Sequence, residues 1–164
     1  MPKKTGTIHY YPIVLNLKGE RIVVIGGGVV AERKISSLLK AGERIFVFSP
    51  SITSLLKRLA DSGSIKWIKR CVKKNDLDGA WLAIAATNNS VVNRNVSRWA
   101  KKNKTLVNVV DEPILSNFIS PAFFRKEKAT ISVHTDGKDP VFSRDLKNFL
   151  KENWDEFLSY RKRL

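Results

Sequence analysis

The chain has 164 residues, 43% of them apolar and 9% aromatic, which suits one well-buried domain with a small appendage and excludes extended disorder or two large domains. Thirty Lys and Arg against fifteen Asp and Glu give a net charge of +15, yet they are scattered and no helix-turn-helix, zinc-finger or RNP pattern accompanies them, which weighs against a nucleic-acid partner. A single Cys71 excludes an internal disulfide and, with only His9 and His134 besides, a Cys/His zinc site, so no resident metal is expected.

No apolar run approaches the roughly 18–20 residues of a membrane span, and the N-terminus lacks the apolar stretch of a signal peptide. No membrane partner is expected, and the protein is expected in the cytoplasm. In chain order, Arg21 to Ile25 (RIVVI) is a β-branched run suited to a strand buried on both faces. Glycine stops it. From Val29, Ala31, Ile35, Leu38 and Leu39 recur at helical spacing until Ala41-Gly42. Residues 44–48 (RIFVF) predict a second strand, and Ser49-Pro50 reads as the cap and first position of a helix running to about Ala60. Strands follow at 65–69 and, after NDLDG, at 81–86 (WLAIAA). Val92, Val96 and Trp99 mark a helix over 89–102 that leads into a strand at 105–110.

This alternation predicts an α/β fold, a Rossmann-like doubly wound parallel sheet. After Asp111-Glu112-Pro113 the rhythm breaks. FISPAFFR and KATISVHT read as a hairpin separated by Lys126-Glu127, and one last helix starts near Pro140 with an apolar stripe of Val141, Leu146, Phe149, Leu150, Trp154 and Phe157. So much apolar surface on a short tail points to a partner subunit. The expected division is a dinucleotide-binding domain over 1–112 and a small α+β module over 113–164.

Gly26, Gly28 and Ala31 satisfy G-x-G-x-x-G/A directly after a strand and opening a helix, the context in which the pattern reads as dinucleotide binding rather than only a tight turn. Across Gly26, Gly27 and Gly28 the backbone can approach a pyrophosphate, with the amides near Val29 and Val30 at the positive end of the helix. The acid that usually follows the second strand is missing. Ser49, Pro50 and Ser51 stand there, and the two serines either bond a ribose or merely cap the helix, so NAD and NADP both remain open. At the same sheet edge, Thr87 and Asn88 either hold a ribose or nicotinamide amide or cap the next helix. Asp111 either takes a proton as a general base or simply turns the chain out of the sheet.

Taken together, YPIVLNLKGERIVVIGGGVVAERK, LAIAATNNSVVN, VNVVDEP, FISPAFFR and ISVHTDGKDPVFSRDLK resemble, over residues 10 to 150, the precorrin-2 dehydrogenase and sirohydrochlorin ferrochelatase family. That family also occurs as the N-terminal module of siroheme synthases. The resemblance implies NAD-dependent oxidation of precorrin-2 to sirohydrochlorin, with NAD held at positions matching Val29-Val30 and Pro50-Ser51. The family's catalytic aspartate in NVVD matches Asp111. It further implies a homodimer whose second module, 113–164, helps bind the tetrapyrrole.

Precorrin-2 is highly carboxylated, which gives the basic surface a role beyond solvation. The substrate-binding candidates are Asn108, Ser120, Arg125, His134 and Lys138, with Lys126 and Lys128 nearby. His134 either acts on pyrrole nitrogens and iron or is structural. The alternative activity is insertion of Fe2+ or Co2+, as substrate, into sirohydrochlorin. Because the chain ends at Leu164, chelatase activity is less expected than oxidation, and a fused methyltransferase is not expected. A nucleotide-sensing or nucleic-acid-binding module is the non-enzymatic alternative.

Overall fold

The computed structural model describes residues 9–163, which divide into two compact units, Pro12–Phe118 and, among the described residues, 9–11 with 119–163. The first unit is a five-stranded, all-parallel sheet of β1 (Arg21–Ile25), β2 (Arg44–Phe48), β3 (Lys66–Ile68), β4 (Leu82–Ala85) and β5 (Leu106–Val109) in the order β3-β2-β1-β4-β5. Its helices are α1 (Val29–Leu38), α2 (Ser54–Asp61) and α3 (Ser90–Lys102).

β1 shows why the strands read as unbroken apolar runs. Ile22 and Val24 face one core with Ala31, Ile35, Ile45, Val47 and Leu56, whereas Val23 and Ile25 face a second with Ala83, Ala85, Val96 and Val107. Both sides of the sheet are covered, so successive residues are apolar rather than alternating. Ile25 pairs with both Phe48 and Ala85, and Ala85 with Val109, so the carboxyl ends of β1, β2, β4 and β5 lie level. The strand order reverses between β1 and β4. That is where an open parallel sheet leaves a crevice.

The helix expected from Ser49-Pro50 begins later. Thr53 is the cap, accepting from the Leu56 amide at 3.3 Å, and residues 49–52 stay irregular. The cause is competition for backbone groups: the Ser49 amide donates to the Ile68 carbonyl at 3.3 Å, and the Ser49 carbonyl accepts from the Trp67 indole at 2.9 Å. Ser49 therefore extends the sheet toward β3. The exposed side of β5 is closed differently, by side chains standing in for a strand. Ser116 Oγ accepts from the Val109 amide at 2.8 Å and Asn117 Oδ1 from the Val107 amide at 2.7 Å, which leaves little free edge for another chain.

In the second unit, β6 (Ala122–Lys126) and β7 (Ala129–Val133) form an antiparallel hairpin on which α4 (Pro140–Glu152) packs, followed by α5 (Trp154–Arg161). The turn is Glu127-Lys128, one residue beyond the expected pair, with Glu127 at φ 51°. The single final helix also proves to be two. At Asn153 the backbone leaves the helical region, at φ −93° and ψ 22°, after its amide makes the last α4 bond to the Phe149 carbonyl at 3.0 Å, a carbonyl that the side-chain Nδ2 also bonds at 2.9 Å. Trp154 then turns inward against Phe124, ring edge to face at 6.0 Å. Val141, Phe149, Leu150 and Phe157 remain exposed in the single chain.

Candidate functional site

A cavity of about 550 Å³ opens at the level carboxyl ends of β1, β2 and β4, within the size range of ligand pockets. Its walls are Gly26 to Gly28, residues 49–53, Ala86 to Asn89 and Val92, with Cys71 and Val72 following β3. Every cofactor candidate except Val29 and Val30 lines it; those two are exposed in the first turn of α1. Cys71 and Val72 were missed by sequence reasoning. The sheet-edge rule applied to the strand before them would have found both.

The three glycines are required for different reasons. A Cβ on Gly26 would lie 2.3 Å from the Ala86 carbonyl oxygen, and one on Gly27 would lie 2.1 Å from that of Ser51. These two let the turn press against its neighbours. A Cβ on Gly28 would meet nothing within 4 Å, so the backbone there faces open space. Gly28 is also the cap of α1, and no side chain bonds to the helix end. A pyrophosphate therefore finds exposed backbone and free amides in the first turn. The adjacent acid, Glu32, is turned away from that role, because its carboxylate accepts the Thr53 hydroxyl. The Thr53 amide bonds to the Gly27 carbonyl at 3.0 Å, which ties the glycine turn to the start of α2. The residues present thus fit a dinucleotide. They would hold its phosphates at Gly28 and α1, and its ribose near Ser51.

Ser49 is buried and Ser51 exposed, so of the two candidate ribose ligands only Ser51 presents its side chain to solvent. The Thr87 hydroxyl is committed within the protein, accepting from the Asn89 amide at 3.1 Å and donating to Asn93 Oδ1 at 2.7 Å. Asn89 rather than Asn88 caps α3, accepting from the Val91 and Val92 amides at 3.0 and 3.1 Å. Asn88 is left exposed in the pocket wall.

Asp111 follows β5 and is exposed. It does not line the cavity but is joined to its wall through Asn93, whose Nδ2 donates to Asp111 Oδ1 at 3.2 Å and to the Thr87 carbonyl at 2.9 Å. Its neighbour Glu112 is paired with Arg94, 3.6 Å away. The two adjacent carboxylates are therefore treated differently: one is paired with a cation, and the other is held by a neutral amide. Asn108 is buried in β5, where its Nδ2 donates to the Phe118 carbonyl at 3.2 Å and its Oδ1 has no hydrogen-bond partner.

The other candidates belong to the second unit. Ser120, Arg125 and Lys138 are exposed, and His134 is half-buried with Nδ1 3.4 Å from Asp136 Oδ1. Asp136 also accepts from the Tyr10 amide at 3.2 Å and lies 3.3 Å from His9 Nδ1. The Tyr10 amide first, and then the His9 and His134 side chains, hold its carboxyl below the ordinary carboxylate range. Among the described residues, no group of three His, Cys, Asp or Glu is placed to hold a metal, and no helix is long and apolar enough to cross a membrane.

Comparison with known proteins agrees with this geometry. A family described as “Putative NAD(P)-binding” matches residues 13–122. Siroheme synthase 1 of Serratia proteamaculans is 36% identical over 142 residues, 87% of this chain and 30% of that protein. The siroheme synthase of Methylobacillus flagellatus is 39% identical over 136 residues, 83% of this chain and 29% of the relative. The chain thus spans about 30% of the length of these curated relatives. The solved structure of SirC, a precorrin-2 dehydrogenase, superposes with a TM-score of 0.80 at 30% identity, covering 93% of this chain and 76% of SirC. The cofactor is a nicotinamide dinucleotide, and the chain belongs to the NAD(P)-binding family that contains precorrin-2 dehydrogenase and the matching region of siroheme synthases.

Proposed function

We propose that this protein oxidises precorrin-2 to sirohydrochlorin with NAD, a step of siroheme biosynthesis. The observation that carries the reading is the open glycine turn together with Asp111, held at the same sheet edge while Glu112 is neutralised by Arg94. NAD supplies the acceptor for the hydride that leaves the tetrapyrrole ring. The protein's part is to orient both molecules and to take the accompanying proton. Asp111 receives that proton on Oδ2, its Oδ1 being engaged by Asn93.

NAD is favoured over NADP by the loop after β2 and its surroundings. Arg70, which follows β3, is bound by Asp76 through two bonds of 2.7 and 2.8 Å, so its charge is already neutralised. Ser51 supplies a hydroxyl suited to a ribose rather than a cation suited to a phosphate. Titration of both dinucleotides by calorimetry, with NADP binding the tighter, would refute this preference.

The carboxylates of precorrin-2 are gripped by basic residues of the second unit, among which Arg125, Lys128 and Lys138 are exposed. Ser120, His134 and Asn108 remain candidates for its polar contacts. The exposed apolar residues of α4 and α5 support a homodimer, and the use of NAD supports a cytoplasmic setting. The direct test is anaerobic incubation of the purified protein with precorrin-2 and NAD. Sirohydrochlorin and NADH are expected in equal amounts, and a rate no higher than the spontaneous one would refute the proposal.

A further inference from the structure

Asn93 lies in the first turns of α3 and is fully buried. Burying a primary amide is unfavourable unless its donors and acceptor are matched. Here all of the matching runs in one direction. The Thr87 hydroxyl donates to Asn93 Oδ1 at 2.7 Å, which leaves Nδ2 to donate to the Thr87 carbonyl at 2.9 Å and to Asp111 Oδ1 at 3.2 Å. The hydroxyl is itself fixed by the Asn89 amide at 3.1 Å. Reversing the amide would leave its oxygen facing two acceptors, the Thr87 carbonyl and the Asp111 carboxylate, so only one orientation is compatible with these partners.

Two bonds to Thr87 account for the acceptor and one of the two donor hydrogens. The remaining hydrogen reaches from α3 to Asp111, two residues past the end of β5. A helix residue locked on both sides is a rigid support for an exposed carboxylate that has no cation partner among the described residues.

We propose that Asn93 is a positioning residue for Asp111, setting the direction of its carboxylate through Nδ2 and linking it to Thr87 in the dinucleotide pocket wall. This rests on the reading of Asp111 as the proton acceptor. Asn93 touches neither substrate nor cofactor; it acts through Asp111. Misplacing a reacting group by about 1 Å can cost on the order of 10²-fold in rate. Asn93→Ala should therefore lower kcat by about 10²-fold while leaving the KM for precorrin-2 and the Kd for NAD unchanged.

The test is a double-mutant cycle with Asp111→Ala, accompanied by the side-chain amide NMR resonances of Asn93 in the wild-type and Asp111→Ala proteins. The expected result is that Asn93→Ala slows the wild type but slows Asp111→Ala no further. The Asn93 amide resonances should also move when the carboxylate is removed, a readout that requires neither turnover nor an Asn93 variant that folds. Unshifted resonances, full activity in Asn93→Ala, or a further loss in the double variant would each overturn the proposal. Full turnover in Asp111→Ala alone would instead refute the reading of Asp111, and the positioning role would fall with it.

Discussion

Gly26, Gly27 and Gly28 are adjacent, yet only the first two are constrained by the protein itself. A methyl on Gly27 would overlap the Ser51 carbonyl, whereas one on Gly28 would meet no protein atom and point into the open space proposed for the dinucleotide's phosphates. Gly28→Ala should therefore keep the wild-type melting temperature and lose about tenfold or more in NAD affinity, roughly 1.4 kcal/mol or more. Gly27→Ala should lose stability as well. Thermal melts beside NAD titrations separate the two cases. On the neighbouring helix, burial first and Arg33 second lower the pKa of Lys34 to about 8. The folded state thus binds fewer protons than the unfolded state between about pH 8 and the ordinary lysine value near 10.4, and stability rises with pH across that window. Lys34→Met should accordingly stabilise the protein at pH 7 by about 1–3 kcal/mol, with the gain shrinking as pH climbs toward 10. Urea unfolding at both pH values checks this, and an equal gain at each would contradict it.

Among the elements, Thr53 performs two tasks, capping α2 and anchoring the glycine turn through Glu32 and Gly27. Thr53→Ala should cost about 1 kcal/mol from the lost cap. It should also weaken NAD binding, because the side-chain tie to Glu32 beside the turn is lost while the backbone bond to Gly27 remains. A variant destabilised but binding NAD normally would show that the tie is dispensable. The parallel strands were legible because burial on both faces leaves β-branched runs such as RIVVI, and the glycine turn because its spacing follows directly from them. The start of α2 was not. Ser49-Pro50 has the local form of a helix start, but β3 claims the Ser49 backbone, a contact that exists only once the sheet is assembled. Asn93 was hidden for the same reason, since its partners lie six residues before it and eighteen after. The break at Asn153 is a local departure of the backbone from helical angles, which apolar periodicity does not register.

At the scale of the molecule, one chain leaves Val141, Phe149 and Phe157 about half exposed, at 55%, 59% and 49%. Covering them in a homodimer is the arrangement expected from their apolar area. The proposed homodimer predicts that Phe149→Lys shifts the protein to monomer in sedimentation without unfolding it, and an unchanged sedimentation coefficient would contradict a dimer through this face. The net charge of +15 should add a salt dependence to capture of a polycarboxylate, with the KM for precorrin-2 rising as ionic strength rises. All of this converges on Asp111, the carboxylate at the level sheet edge, held by an amide beside an acid that is already paired. The most direct measurement compares wild type and Asp111→Ala in two assays, NAD binding by calorimetry and NAD-dependent precorrin-2 turnover. The account predicts unchanged NAD affinity with turnover reduced by about 10²–10⁴-fold. Turnover near the wild-type rate, with the variant folded and NAD bound, would contradict it.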